Sequence, residues 1–309
     1  MKKILVIGAA NMDLTLNMFR LPAPGETISD DGGIAYIPGG RGAGAAVALH
    51  RLGADCTFCA KLGQDLHGQK LYHFYKSEGL STAAIKVDPN APTGLAVVMN
   101  EADGKRRTLV YPGANATLSS ENILDAFACE PDALYLGFEI PFSMVLTAAR
   151  IAASKGIPII VDASPASKEY PLDQLPPVEI FSPNEEEAEE YVGIRPAGSD
   201  SSLRAALALY RKVKCRYLVI KQGSRGAFLY DGKHYHMIPA PRPDKVVDTT
   251  AAGDAFTAAL TVAYLESGDM TDATRFACAA GAITVSREGA ASTVPSASEV
   301  LAFRASRGY

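Results

Sequence analysis

The sequence predicts an α/β fold, a central and mostly parallel sheet with helices on both faces plus a small β lid. Three observations carry this expectation. Short apolar, β-rich runs recur along the chain, with stretches of helical period between them. Two further segments, residues 14–36 and 93–111, are strand-like but more polar, and Pro22, Pro24, Gly25 and Gly104 interrupt them. The 309 residues are 48% apolar and 21% charged, ordinary values for a globular chain that buries a full core. With no linker composition, repeat or low-complexity tract, the expectation is one domain over 1–309. Its discontinuous lid comes from about 14–36 and 93–111.

In chain order, residues 4–8 read as the first buried strand. Met1-Lys2-Lys3 before them imitates a signal peptide, but the apolar run is short and Asn11 and Asp13 follow at once. After the first lid segment, Gly39-Gly40-Arg41-Gly42-Ala43-Gly44 leads into an apolar helix over 43–52. Strand 56–62, helix 68–78 and the second lid segment come next. Strands at 133–137, 157–162, 179–182 and 217–221 then alternate with helical patterns at 142–155, 185–192 and 202–213. Residues 227–231 and 234–238 flank Gly232-Lys233, a hairpin signal. Two helices close the chain, one from Asp254 and one over 270–285.

Net charge is −4, and no basic block extends beyond Lys105-Arg106-Arg107, which argues against nucleic acid as a partner. No segment is long and apolar enough to span a bilayer, so no membrane partner is expected and the predicted location is the cytoplasm. Five cysteines leave at least one unpaired in any disulfide scheme. Cys56 and Cys59 match CxxC, but on a strand residues three apart face opposite sides, so core packing is expected. His234 and His236 read as a strand surface with no third metal ligand nearby.

The most informative stretch is Val246-Val247-Asp248-Thr249-Thr250-Ala251-Ala252-Gly253-Asp254-Ala255-Phe256. It predicts a strand ending at the two valines. Small residues then lead into an amphipathic helix carried by Phe256, Ala259, Leu260 and Ala263. Such a turn leaves the first N–H groups of the helix open to an anion. Asp254 is stabilised as an ion by that helix end, yet a phosphate there would repel it. The two fit together if Asp254 acts on something next to the phosphate, as a base acts on an attacking hydroxyl. A carboxylate in the first helical turn also has a purely stabilising reading.

Other motifs keep two readings each. The glycine-rich run at 39–44 lets a ligand approach the backbone or simply starts a helix. It is no dinucleotide fingerprint, because no buried strand precedes it, and a GxxxxGK phosphate loop is absent from the chain. Asn11, Asp13 and Glu139 lie beyond strand ends, where open α/β sheets bind ligands; together they suit sugar hydroxyls, singly they suit turns. Asn184 and Glu187 form a capping box, and the same pair suits a hydrated magnesium ion beside nucleotide phosphates. Lys221-Gln222-Gly223-Ser224-Arg225-Gly226 is either a plain turn or one that lies along a nucleotide.

In this order the motifs resemble those of the ribokinase-like (PfkB) family of carbohydrate kinases, over nearly the whole chain. The residues that carry the resemblance are Gly8-Ala9-Ala10-Asn11-Met12-Asp13, Pro24-Gly25-Glu26-Thr27, Gly39-Gly40-Arg41-Gly42-Ala43, Pro183-Asn184-Glu185-Glu186-Glu187, Gly223-Ser224-Arg225-Gly226 and the 248–254 turn. The resemblance implies ATP-dependent phosphoryl transfer to a primary hydroxyl of a pentose or related furanose. It makes Asp254 the base, and backbone N–H groups of Ala251, Ala252 and Gly253 the anion hole. Asn11, Asp13, Gly40, Arg41, Glu139 and Asp254 are implied to contact the sugar. Asn184 and Glu187 are implied to organise Mg²⁺–ATP, the magnesium through water. Lys221, Gly223, Ser224, Gly226 and Gly253 are implied to bind the nucleotide, with Cys278 against the adenine. A monovalent cation, K⁺, is implied at Asp248, Thr250, Thr284, Arg287, Gly289 and Thr293, mostly through carbonyls. Members of the family often dimerise through such lids, and nothing in this sequence decides it.

Two departures bear on the substrate. The ribokinase-like pattern reads GGKGAN, and here Arg41 replaces the lysine and Gly44 the asparagine. Losing an amide removes hydrogen bonds that select a hydroxyl pattern, and Arg is no neutral swap for Lys. A roomier, differently charged pocket is expected, which keeps open a nucleoside kinase or a sugar-acid kinase of the same family. A sugar-binding regulator without activity is the alternative from another class.

Overall fold

The computed structural model describes residues 1–289 and 293–309. The chain begins as β1 (Lys3–Ile7), crosses into the lid as β2 (Asn11–Met18), returns on β3 (Ile34–Gly39) and enters α1 (Arg41–Arg51). It continues through β4 (Asp55–Gly63), α2 (Leu66–Ser77), β5 (Ile85–Asp88) and the lid strands β6 (Gly94–Glu101) and β7 (Arg106–Tyr111). Next come α3 (Ser120–Ala126), β8 (Ala133–Leu136), α4 (Phe142–Ser154), β9 (Ile159–Asp162) and β10 (Val178–Ser182). Two helices, α5 (Glu185–Val192) and α6 (Ser199–Lys212), precede β11 (Cys215–Lys221) and the hairpin β12 (Ala227–Tyr230) and β13 (Tyr235–Ile238). The chain closes with α7 (Ala252–Ser267), α8 (Met270–Thr284) and α9 (Ala297–Arg307).

The main sheet runs β13-β12-β11-β10-β9-β8-β1-β4-β5, parallel from β11 to β5 and antiparallel in the β11-β12-β13 edge. Its strands are apolar on both faces because both are covered. On β1, Ile4 and Val6 join the core under α1, α2, α7 and α8, while Leu5 and Ile7 join the core under α3, α4, α5 and α6. The lid is a separate sheet, β3-β2-β6-β7. The two polar segments thus pair with each other rather than with the main sheet. An exposed row including Ile34, Tyr36, Leu109 and Tyr111 lies on them.

Two expectations around 246–263 are corrected. Val246 and Val247 are not in a strand: they are 67% and 44% exposed in a loop, with the Val247 N–H bonded to the Val285 carbonyl at 2.8 Å. β-propensity needs a partner edge and cross-strand packing, and this loop has neither. Nor is α7 amphipathic. Phe256, Ala258, Ala259, Leu260 and Val262 are all buried, because α7 packs against α1 on one side and α8 on the other. Among features not foreseen are β5, α3 and α9. Asn11 and Asp13 also lie on the lid strand β2 itself, not in a loop beyond β1.

Candidate active site

Parallel strands bring their carboxyl ends to one rim, and β1 is where the sheet order turns back, to β4 on one side and β8 on the other. At this point Gly8 and Gly42 let β1 and α1 touch: a Cβ on Gly42 would lie 2.6 Å from Gly8. The Ala43 N–H then bonds the Ala9 carbonyl at 3.1 Å, and the Arg41 N–H bonds Glu139 Oε2 at 2.7 Å. Glu139 follows β8. Burial raises its pKa, against the Arg41 N–H that favours the ion.

Opposite α1, the chain enters α7 through Ala251, whose φ of 60° is left-handed. A non-glycine residue there costs on the order of 1 kcal/mol, strain that functional turns commonly hold. No side chain caps the helix, so the positive end of α7 faces the rim open to an anion. Asp254 stands in its first turn with only 16% of its side chain exposed. Burial pushes its carboxyl up to about 7; Asp162 and Glu139 add to the rise, and Arg41 and Lys221 oppose it. Arg41 Nη1 lies 3.7 Å from Asp254 Oδ1. Burial alone would lower the Arg41 pKa, but Asp254, Asp162, Glu187 and Glu139 together hold it above its ordinary value.

One cavity of about 970 Å³ brings together Asn11, Asp13, Gly40, Arg41, Glu139, Asn184, Thr250, Ala251, Gly253 and Asp254. Asp13 Oδ1 is buried with no partner, and burial, then Glu139, pushes the Asp13 carboxyl up to about 7 against the pull of Arg106. An acceptor left like this in a polar cavity wall calls for a ligand hydroxyl or water. Glu187, Lys221, Gly223, Ser224, Gly226 and Cys278 lie outside this cavity. Glu186, not Glu187, lines it; Glu187 is buried, with Oε2 accepting from the Asn184 N–H at 2.7 Å while Asn184 Oδ1 accepts from the Glu187 N–H at 2.8 Å. Burial raises the Glu187 pKa, and the Lys221 charge counters it.

Lys221 is turned away from its own turn. Its Nζ bonds both oxygens of Asp162, at 3.0 and 3.1 Å, and Thr257 Oγ1 at 3.3 Å. The following turn, Gly223–Arg225, carries Gly223 and Ser224 and is tied by Arg225 to Glu185 and to the Pro196 carbonyl. Gly226, with φ of 97°, lies so near Ile238 that no side chain fits. Cys278 is buried on α8 beside Tyr309, whose hydroxyl donates to the Pro239 carbonyl at 2.5 Å. Around the loop after α8, Asp248 Oδ1 accepts from the Thr250 N–H at 2.8 Å and Oδ2 from the Gly289 N–H at 3.4 Å. Thr284 Oγ1 donates to Ala280 within α8, and Arg287 Nη1 donates to the Thr293 carbonyl at 3.2 Å.

Three partners were missed from sequence. Asn115 donates from Nδ2 to Asn11 Oδ1 at 2.8 Å and to the Pro112 carbonyl at 2.9 Å, and its Oδ1 accepts from the Ala10 N–H at 2.9 Å. It thereby fixes the crossing from β1 into the lid. Arg106, on β7, lines the cavity and donates to Thr250 Oγ1 at 3.2 Å, so the lid touches the α7 turn. Asp162 ends β9 beneath the site. The pattern Gly113-Ala114-Asn115 after a lid strand was a usable turn signal; nothing local marked the other two.

A doubly covered parallel sheet, a polar cleft at its carboxyl rim and an acid beside an open helix end suit an enzyme that acts on a small polar molecule next to an anion. The profile of the pfkB family carbohydrate kinases matches residues 1–297, and the chain belongs to that family. It is accordingly a phosphotransferase with a sugar hydroxyl as acceptor. It is 32% identical over 305 residues to a ribokinase of Haemophilus influenzae, covering 98% of each chain. The same identity over 305 residues relates it to a bifunctional ribokinase/ribose-5-phosphate isomerase A of Fructilactobacillus sanfranciscensis, but the chain covers only 56% of that protein's length. The structure superposes on that of Arabidopsis thaliana ribokinase complexed with ribose and ATP with a TM-score of 0.88, at 30% identity and 98% coverage of both chains. Among the described residues no helix is long and apolar enough to cross a membrane.

Proposed function

We propose that this kinase transfers the γ-phosphoryl group of ATP to the primary hydroxyl of a pentose, with ribose as the first candidate. The observation that carries this reading is Asp254. It is a carboxyl whose pKa burial raises to about 7, in the wall of a cavity that also carries Asn11, Asp13 and Glu139, and directly beside an uncapped helix N-terminus. Similarity to ribokinases supports the pentose. Asp254 accepts the hydroxyl proton as the oxygen attacks phosphorus, and ADP leaves with the electron pair of the broken bond. The N–H groups at Ala251 and Gly253 face the charge on the transferring phosphoryl, joined by that of Ala252 once it leaves its long 3.4 Å bond to the Thr249 carbonyl. Positioning and charge stabilisation supply most of the acceleration.

Asn11, Asp13, Gly40, Arg41 and Glu139 hold the sugar. The unpartnered Asp13 Oδ1 accepts from one hydroxyl, and Glu139, anchored on the Arg41 N–H, accepts from another. Gly223, Ser224, Gly226 and Gly253 line the nucleotide, with Cys278 against its base and Lys221 beneath its phosphates. A magnesium ion held by phosphates and water would sit near Asn184, which lines the cavity, with Glu187 behind it, its Oε2 accepting from the Asn184 N–H. A magnesium ion bound there would neutralise phosphate charge. Asp248 ties Thr250 to Gly289 and so draws together the backbone proposed to hold K⁺ with Thr284, Arg287 and Thr293. The exposed lid row of Ile34, Tyr36, Leu109 and Tyr111 suits a homodimer, which light scattering after size exclusion tests.

The two departures weigh toward a neutral sugar. Arg41 is already paired with Asp254, and the space over Gly44 is taken by the Asp254 carboxylate, where a Cβ would lie 2.9 Å from Oδ2. At these two positions the Arg41 charge is shared with Asp254 and the Asp254 carboxylate takes part of the space, which favours a neutral sugar over a substrate carboxylate or a nucleobase. An ADP-release assay across ribose, deoxyribose, ketohexoses, nucleosides and ketodeoxygluconate, with and without potassium, tests the reading. Ribose should give the highest kcat/KM; absence of turnover on every neutral sugar would overturn it.

A further inference from the structure

Lys221 and Asp162 form a buried ion pair under the first turn of α7, with 8% and 6% of their side chains exposed. Asp162 also accepts from the Tyr135 hydroxyl at 3.3 Å, and Lys221 Nζ reaches Thr257 Oγ1, which in turn donates to the Gly253 carbonyl at 3.2 Å. A Cβ on Gly253 would sit 4.0 Å from Lys221 Nζ. The network therefore joins β8, β9 and β11 to the residue at the helix N-terminus.

As a purely structural device this pair is badly placed. A buried ion pair commonly does no better than well-packed apolar side chains of the same volume. An ammonium beneath the positive end of a helix adds repulsion, which Asp162 offsets in part and an anion at that end would offset further. We propose that the Lys221–Asp162 pair is a positioning device for phosphoryl transfer: through Thr257 it sets the first turn of α7 against the sheet, and it tunes the charge under Gly253 and Asp254. This rests on Asp254 being the base.

The groups that face Asp254 are Arg41 on α1, Tyr135 on β8, Glu139 after β8, Asp162 on β9 and Lys221 on β11; Glu187 on α5 shares the field of Arg41 and Lys221. Lys221 favours the Asp254 carboxylate and Asp162 disfavours it. Breaking the pair from either side thus acts on the base in opposite directions, which a role in folding alone would not do.

The test compares Lys221→Met, Asp162→Asn and the double variant in melting, kcat, sugar KM and the pH dependence of kcat/KM. Lys221→Met should lower kcat roughly tenfold or more with sugar KM within about twofold. Its acid limb should move to higher pH, and that of Asp162→Asn to lower pH. The double variant, free of an orphaned charge, should melt near the wild type yet keep the low kcat. A double variant with wild-type kcat, or single variants whose acid limbs move together or stay put, overturns the proposal. Asp254→Asn separates the two claims. Retained turnover there removes the base assignment and with it this inference, whereas lost turnover with unmoved limbs removes the pair's role alone.

Discussion

Arg41 Nη1 stands 3.7 Å from Asp254 Oδ1, so the residue that departs from the ribokinase-like glycine motif is the nearest cation to the proposed base. With 42% of the Arg41 side chain exposed, the pair contributes less than about 1 kcal/mol to stability. Its effect is on protonation, since Arg41 holds the Asp254 carboxyl down against burial. Arg41→Ala should therefore shift the acid limb of kcat/KM to higher pH and cost most activity below neutrality. Melting should change little. An unmoved acid limb would detach Arg41 from Asp254.

Asp13 should reveal itself through stability as well as binding. Burial and Glu139 raise its folded pKa to about 7, above the unfolded value of 3.8. Between those values the folded state holds a proton that the unfolded chain has released, so this group lowers stability as pH rises through that window. Asp13→Asn removes the ionisation. The variant's melting temperature relative to wild type should increase from about pH 4 to about pH 8, while sugar KM rises because a charged acceptor is lost. A melting difference that does not vary with pH would refute the buried-acid account.

Asn115 tests the hinge of the lid. Its amide engages the Ala10 N–H, Asn11 Oδ1 and the Pro112 carbonyl in a buried position. Asn115→Ala leaves several of these groups without partners, at roughly 1–3 kcal/mol each before water fills in. Denaturant unfolding should show a loss of at least about 2 kcal/mol, and sugar KM should rise because Asn11 loses its orientation. Unchanged stability would mean that water replaces the amide fully.

Much of the fold was legible because both-face burial writes itself as short apolar runs. Residues 179–182 and 217–221 sit inside β10 and β11, and 185–192 coincides with α5. Where β-propensity stood without a partner edge, as at Val246 and Val247, the same signal misled. The capping box Ser296-Ala297-Ser298-Glu299 of α9 was readable, with Ser296 accepting from the Glu299 N–H, but α9 buries only Val300 and so shows little periodicity. At the site, motif order brought Asn11, Asp13, Gly40, Arg41, Glu139 and Asp254 to one cavity. Asp162 and Arg106 stayed hidden. Each acts through a partner 59 or 144 positions away, Lys221 and Thr250, and no local pattern records such a pairing.

Gly44 offers the sharpest steric test of where the Asp254 carboxylate belongs. It lies inside α1, where alanine is favoured over glycine by about 0.5–1 kcal/mol, so helix propensity alone makes Gly44→Ala stabilising. Yet the added Cβ would come within 2.9 Å of Asp254 Oδ2, and the carboxylate must swing away toward Arg41 or into the cavity. Stability and catalysis should therefore part company. Melting should hold or rise slightly, while kcat falls roughly tenfold as the base leaves its alignment with the substrate hydroxyl. Sugar KM should rise less than kcat falls, because Asn11, Asp13 and Glu139 are untouched. If Gly44→Ala keeps full kcat, the Asp254 carboxylate has freedom to spare and its present position over Gly44 does not matter to the reaction. If kcat falls and melting falls with it, the glycine serves the packing of α1 against α7 more than the placement of the base.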